Sequence, residues 1–248
     1  MENSLVSIII LVQDRYDLVK RCIDSIIKHT RTPYELVLII QAVQNPELLD
    51  YLKKVEKLHN RVKIIYNKEN TGVTPGRNQG IEISSGTHLL FLDDDAWVSE
   101  ELENIPEFLR EYDWLGRLLY FYKKPEVGIV GQSGSYINPQ RPGIFWECKT
   151  VGSECDVVQG YCFMFSREVV NAVGGLDPYF VKFWHEESEY SLRAKFHGFK
   201  VINTRYIGVT HYGSGSGDDG TYSTKIQYLF NKWKPHFGKI LVPRSEWK

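Results

Sequence analysis

The first ninety residues alternate between two kinds of segment, and that alternation leaves few folds open. Val6 to Val12, interrupted only by Ser7, is an apolar, largely β-branched run. Such a run suits a strand covered on both faces, as in a parallel sheet. After a polar turn at Gln13-Asp14-Arg15, residues 16–30 place Leu18, Val19, Cys22, Ile23, Ile26 and Ile27 at helical spacing, and Pro33 closes the helix. The pattern then recurs: strand 34–40, amphipathic helix 46–59, strand 62–66, a Gly-rich loop at 67–80 running into a helix near 75–84, and strand 88–92. Strand and helix in strict succession predict βαβ units and a mostly parallel, Rossmann-like sheet with helices on both faces. Ligands of such sheets sit beyond the carboxyl ends of the strands.

Beyond residue 96 the alternation breaks. We expect a charged helical region over 99–122, a strand at Val127–Gly131 and a Gly/Pro/Ser-rich loop at 132–145. These lead into strand, helix and Gly-Gly stop over 156–175, a helix over 183–198 with Gly198 past its end, a strand from Val201 to Val209, and an aromatic and basic tail from 221. No internal repeat or linker is visible. The expectation is a single domain over 1–248, with halves at about 1–98 and 99–220 and the tail at 221–248. The tail segment 228–240 suits either an amphipathic membrane-surface helix or, in preference, a helix packed on the core.

Composition narrows the function. With 30 Lys and Arg against 31 Asp and Glu, no bulk charge favours nucleic acid. Four cysteines (22, 148, 155, 162) form no CxxC pair and read as buried thiols. The N-terminus lacks the basic region of a signal peptide, and its apolar run is too short to span a membrane. A cytoplasmic protein, at most peripheral at a membrane, is the expectation.

Chemistry concentrates in three places. The strand at 88–92 ends on Asp93-Asp94-Asp95. One aspartate serves as a helix cap, but three adjacent like charges suit Mg²⁺ or Mn²⁺ and, through it, a diphosphate. Glu186 and Glu187 follow aromatic residues that desolvate a carboxylate toward the pKa of a working base, whereas Glu189 pairs helically with Arg193. His211, before the small polar run 213–217, suits a metal ligand beside a phosphate nest. Tyr161 and Trp184 offer flat faces to sugar rings, or to the core.

In order, Asn70-Thr71-Gly72, Arg77-Asn78-Gln79-Gly80, the strand ending in Asp93-Asp94-Asp95, and 186-EESEYSLR-193 resemble the inverting GT-A glycosyltransferases of family 2 over roughly residues 5–215. The resemblance implies a metal-dependent transfer of a sugar from a nucleotide-diphosphate sugar, UDP-linked for preference, to a hydroxyl of a glycan, glycolipid or glycoprotein acceptor. It implies Asp95, with Asp93 and His211, at the metal. Asp93 and Asp94 would meet the ribose, the sugar or the metal's waters. Arg77, Asn78, Asn70 and Gly72 would line the donor site with Gln13, Asp14, Arg15 and Gln41. Glu187 would be the general base, and Glu186 would orient it or bind the acceptor. The chain departs from the family at Leu11-Val12-Gln13-Asp14, where Pro-Thr-Tyr-Asn is common. It departs again at Gln41, where an aspartate often reads the base, and at Glu187, where many members have Asp. Two alternatives stand beside this reading: a catalytically silent sugar-nucleotide-binding module, and a sugar nucleotidyltransferase. The latter usually carries a Gly-rich basic loop after the first strand, and 11-LVQDRYD-17 has no glycine.

Overall fold

β1 (Val6–Val12) lies inside the central sheet, hydrogen-bonded in parallel to its neighbours on both sides. Its side chains alternate between two cores. Ile8, Ile10 and Val12 pack with Val19, Cys22, Ile23 and Ile26 of α1 (Tyr16–His29), while Ile9 packs with Ile81 on the opposite face. This two-sided burial is why the run lacks polar alternation. The computed structural model describes residues 4–58, 60–99, 103–182, 184–213 and 220–244.

The chain continues through β2 (Tyr34–Gln41), α2 (Pro46–Leu58), β3 (Val62–Asn67), α3 (Val73–Ile83) and β4 (His88–Leu92). The last residue expected in the second helix, His59, lies outside the described residues. α3 sits so close to β1 that a Cβ on Gly80 would fall 2.3 Å from Ile9 Cγ2.

After β4 come β5 (Ala96–Val98), α4 (Trp114–Tyr120), β6 (Val127–Gly131), β7 (Gly134–Ile137), β8 (Phe145–Glu147), β9 (Ser153–Cys155), β10 (Val157–Val158), β11 (Cys162–Ser166), α5 (Arg167–Val173), α6 (Glu186–Phe196), β12 (Lys200–Asn203), β13 (Val209–His211), α7 (Tyr222–Trp233) and α8 (Phe237–Ile240). Eight strands form the main sheet in the order β3-β2-β1-β4-β11-β6-β12-β9. β11 runs antiparallel to β4 and β6, and β9 antiparallel to β12; the other pairs are parallel. The carboxyl ends of β1, β4, β6 and β12 therefore share one edge.

Several expectations change. The continuous helix over 99–122 is replaced by a 3₁₀ turn at Glu107–Leu109 and the short α4. Pro106 interrupts helical hydrogen bonding, and Asp113 restarts it by accepting from the Gly116 N–H at 2.7 Å. Residues 201–209 form two strands in different sheets. The break contains Arg205 and Gly208, with φ of 53° and 90°. The 132–145 loop contains β7 and ends at β8. The helix expected from 183 begins at Glu186, and Gly198 beyond it has φ 93°. All four cysteines are free and buried.

The tail packs inward. Ile226, Leu229, Phe230, Trp233, Phe237 and Ile240 share a core with Ile137, Phe180 and Leu192. Among the described residues no helix is long and apolar enough to cross a membrane.

Candidate active site

β4 delivers three consecutive aspartates to the carboxyl edge, and each meets a different set of partners. Asp94 turns inward and is 3% exposed. It accepts the Gln13 N–H at 2.8 Å and pairs with the Arg15 guanidinium. Burial pushes its carboxyl up to about 6, although Arg15 and the Gln13 N–H pull the other way. Asp93 pairs with Arg77 Nη2 at 3.0 Å, and Asp95 lies 3.6 Å from Arg15 Nη1.

His211 arrives from the far end of the chain. β13 pairs antiparallel with β5, which sets His211 opposite Ala96. Its Nε2 lies 3.1 Å from Asp95 Oδ1 and 3.6 Å from Asp93 Oδ2. Burial lowers its pKa, but the hydrogen bond to Asp95 and the charges of Asp93 and Asp95 outweigh burial and raise it. Tyr161 lies flat on the imidazole, with centroids 4.5 Å apart and planes within 4°. One ligand atom from each of Asp93, Asp95 and His211 falls within 4.8 Å of the others. Two hard carboxylate oxygens and an imidazole are a donor set that fits Mn²⁺ or Mg²⁺. Residues 214–217 of the phosphate-nest expectation lie outside the described residues.

Arg77 joins this cluster to α6. Its guanidinium is buried over the Phe91 ring, 4.8 Å from the centroid. It donates to Asp93, to the Gly160 carbonyl at 3.0 Å and, through Nη1, to Glu186 Oε1 at 2.9 Å. Glu186 is 4% exposed and its Oε2 has no hydrogen-bond partner among the described residues. Burial raises its pKa while Arg77 opposes the rise. Glu187 keeps partial exposure, yet burial first and the Glu186 charge second push its carboxyl up to about 8. The Ser188 hydroxyl donates to its Oε1 at 3.3 Å.

Other predicted positions serve the walls. Gln41 is buried and its amide is engaged: Oε1 accepts the Thr71 N–H at 2.9 Å, and Nε2 donates to Thr71 Oγ1 at 3.1 Å. Exposed Asn70 caps Gly72 N at 2.9 Å and reaches Gln13 Oε1 at 3.5 Å. Asp14 accepts from the Gln44 and Asn45 main chain. Asn78 is clasped at both ends by the Leu176 main chain, at 2.8 and 3.1 Å. Gly72 (φ 90°) starts α3 against Val181, whose carbonyl would lie 2.3 Å from an added Cβ. Glu189 is fully buried between Arg193, 3.0 Å, and Lys232, 2.8 Å. The Glu189–Arg193 pair matches the helical spacing expected of it. The Arg77–Glu186 pairing spans 109 residues, and no local pattern announces it.

Residues 7–174 match the profile of Glycosyl transferase family 2. The uncharacterized protein y4gI of Sinorhizobium fredii is 21% identical over 94% of this chain and 28% of its own length. A putative teichuronic acid biosynthesis glycosyltransferase, TuaG of Bacillus subtilis, is 30% identical over 43% of this chain and 42% of its own. The chain thus spans less than half the length of either relative. Among solved structures, a mannosyltransferase from Pyrobaculum calidifontis in complex with GDP-Man and Mn²⁺ superimposes with TM-score 0.64 at 15% identity, over 86% of this chain and 58% of that one. GalNAc-T7 with UDP, GalNAc and Mn²⁺ gives 0.68 at 19%, over 84% of this chain and 44% of that one. With a mixed α/β sheet of the GT-A type and a profile match covering most of its length, this chain belongs to glycosyl transferase family 2.

Proposed function

We propose that the protein is an inverting glycosyltransferase that moves a sugar from a nucleotide-diphosphate sugar to a hydroxyl of a glycan or glycoconjugate. The observation that carries this reading is the bridge made by Arg77. It ties Asp93, in the Asp93-Asp95-His211 cluster, to Glu186, beside Glu187. A donor site and a base site therefore share one edge and one buried cation.

Asp93, Asp95 and His211 would hold a divalent cation, which when bound supplies positive charge against the leaving diphosphate. Residues 1–98 form the donor half, with Gln13, Asp14, Arg15, Asn70 and Gly72 along the nucleotide side. Residues 99–220 form the acceptor half. Glu187 takes the proton of the acceptor hydroxyl as that oxygen attacks the anomeric carbon from the face opposite the diphosphate. One displacement inverts the configuration. Arg77 and Asn78 act as frame: Arg77 fixes Asp93 and Glu186, and Asn78 fixes the main chain at Leu176. Both solved structures hold Mn²⁺ with a nucleotide, one guanine and one uracil. UDP-sugars are the first donors to test and GDP-sugars the second.

The test is a panel of nucleotide sugars assayed for metal-dependent hydrolysis and transfer, with the anomeric configuration of the product read by NMR. The reading predicts turnover that EDTA abolishes and a product of inverted configuration. Retained configuration would overturn the base mechanism. No binding of any nucleoside diphosphate with Mn²⁺ would overturn the donor site and favour neither alternative that keeps it.

A further inference from the structure

The two residues before α6 both adopt left-handed backbone conformations: Trp184 with φ 83° and His185 with φ 69°. Consecutive large side chains in that region are strained, and such strain persists only where neighbours enforce it. The neighbours here are aromatic. His185 is buried, stacks on Phe145 at 5.7 Å and 15°, and leans on Tyr222 at 5.0 Å. Tyr222, at the start of α7, stands edge-on to Trp184 with centroids 5.4 Å apart and planes at 89°. The strained turn does not bury the indole: Trp184 stays 41% exposed, three residues before Glu187.

Core packing would account for a buried tryptophan on relaxed backbone, and neither condition holds. Two further observations favour a polar ligand at this turn. His185 Nε2 is buried without a hydrogen-bond partner among the described residues. The phenol of Tyr222 lies within electrostatic reach of Glu187: burial and then the Glu187 charge raise its pKa.

We propose that Trp184 and Tyr222 form the acceptor subsite beside Glu187, where they receive the apolar face of a pyranose ring. α7, which lies beyond the profile-matched segment, thereby selects the acceptor. The ring C–H face packs on the exposed indole, with Tyr222 as the side wall. This rests on Glu187 as the base of the proposed transfer.

The test uses the full chain with Mn²⁺ and whichever of UDP or GDP gives the larger thermal shift. Methyl glycosides of glucose, galactose, mannose and N-acetylglucosamine are titrated by saturation-transfer NMR, with mannitol as an open-chain polyol. At least one glycoside should bind through its ring C–H face while mannitol does not. Trp184→Ala and Tyr222→Ala should each weaken that binding about tenfold, a magnitude in keeping with one aromatic contact, and Tyr222→Phe should retain it. Equal affinity in both alanine variants, binding of mannitol as strong as that of the glycosides, or no glycoside binding to the wild type would each overturn the subsite. The nucleotide thermal shift reads the donor site separately. Its absence would fell the transferase reading, whereas its presence with indifferent variants would fell only the acceptor subsite.

Discussion

Glu186 and Glu187 are adjacent in sequence but meet different electrostatics. Arg77 offsets the charge of Glu186 at 2.9 Å, while Glu187 has burial and a like charge against it, which its own main-chain N–H, the Arg77 charge and the Ser188 hydroxyl offset only in part. A general base works deprotonated, so kcat/KM should rise with pH through about 8, as an apparent constant of the glutamate pair. Stability runs the other way. A carboxyl that holds its proton more tightly when folded contributes stability that is complete below the ordinary glutamate range and lost as pH rises toward 8. Glu187→Gln removes that loss. The variant should transfer sugar about 10²- to 10⁴-fold more slowly, and its Tm relative to wild type should climb between pH 5 and pH 8.5. A Tm difference that is flat with pH would contradict the desolvated carboxyl. The residues of this pair are legible in sequence as carboxylates after aromatics; which of the two Arg77 holds is not, because the partner comes from α3.

α3 shows what an element must do to place one guanidinium. It starts at Gly72, whose φ is 90° and where an added Cβ would fall 2.3 Å from the Val181 carbonyl oxygen. Thr74 fastens the same segment by donating to the Phe180 carbonyl. Gly72→Ala should destabilise the protein by more than about 1 kcal/mol in chemical denaturation, and should speed amide exchange at Thr74, whose N–H meets Val181. Arg77→Ala should cost about 3–5 kcal/mol, chiefly by leaving the buried Glu186 carboxylate unpaired, with Arg77→Lys recovering part of it. An Arg77→Ala protein as stable as wild type would show that the bridge is dispensable. At this scale the first half is legible because β1, β2 and β4 carry their two-sided burial in their own composition, and the edge strand β3, only partly buried, keeps an apolar centre. β11 carries the same apolar signature, CFMFS, yet runs antiparallel; its direction is set by β4 and β6, and nothing within the five residues encodes it. The helix expected at 99–122 failed because helical composition does not outweigh Pro106 and the pairing of β5 with β13.

The whole molecule depends on the chain beyond residue 174, where the profile match stops. The metal-ligand candidate His211 and the base candidate Glu187 both lie in that part. A cation held by Asp93, Asp95 and His211 links folding to binding: Mn²⁺ at a hundred times its Kd should stabilise the fold by about 2.7 kcal/mol, and Asp95→Asn or His211→Ala should remove most of that shift. The aromatic and basic tail, ambiguous in sequence between a membrane surface and a core, resolves into the second role. Its apolar side closes over Phe180 and Leu192, its Lys232 pairs with buried Glu189 and with Asp177, and the Val242 N–H donates to Asp156 at 2.7 Å. Without α7 and α8, Glu189 would keep only Arg193, and the face of α6 that carries Leu192 would meet water. A chain ending at residue 220 should therefore lose its cooperative thermal transition and bind hydrophobic dye. Trp233→Ala in the full chain tests the same packing by a smaller step, with an expected loss of about 3–5 kcal/mol. A truncated chain that melts like the full protein would mean that α6 is positioned by the central sheet alone, and that the tail is an accessory to the fold.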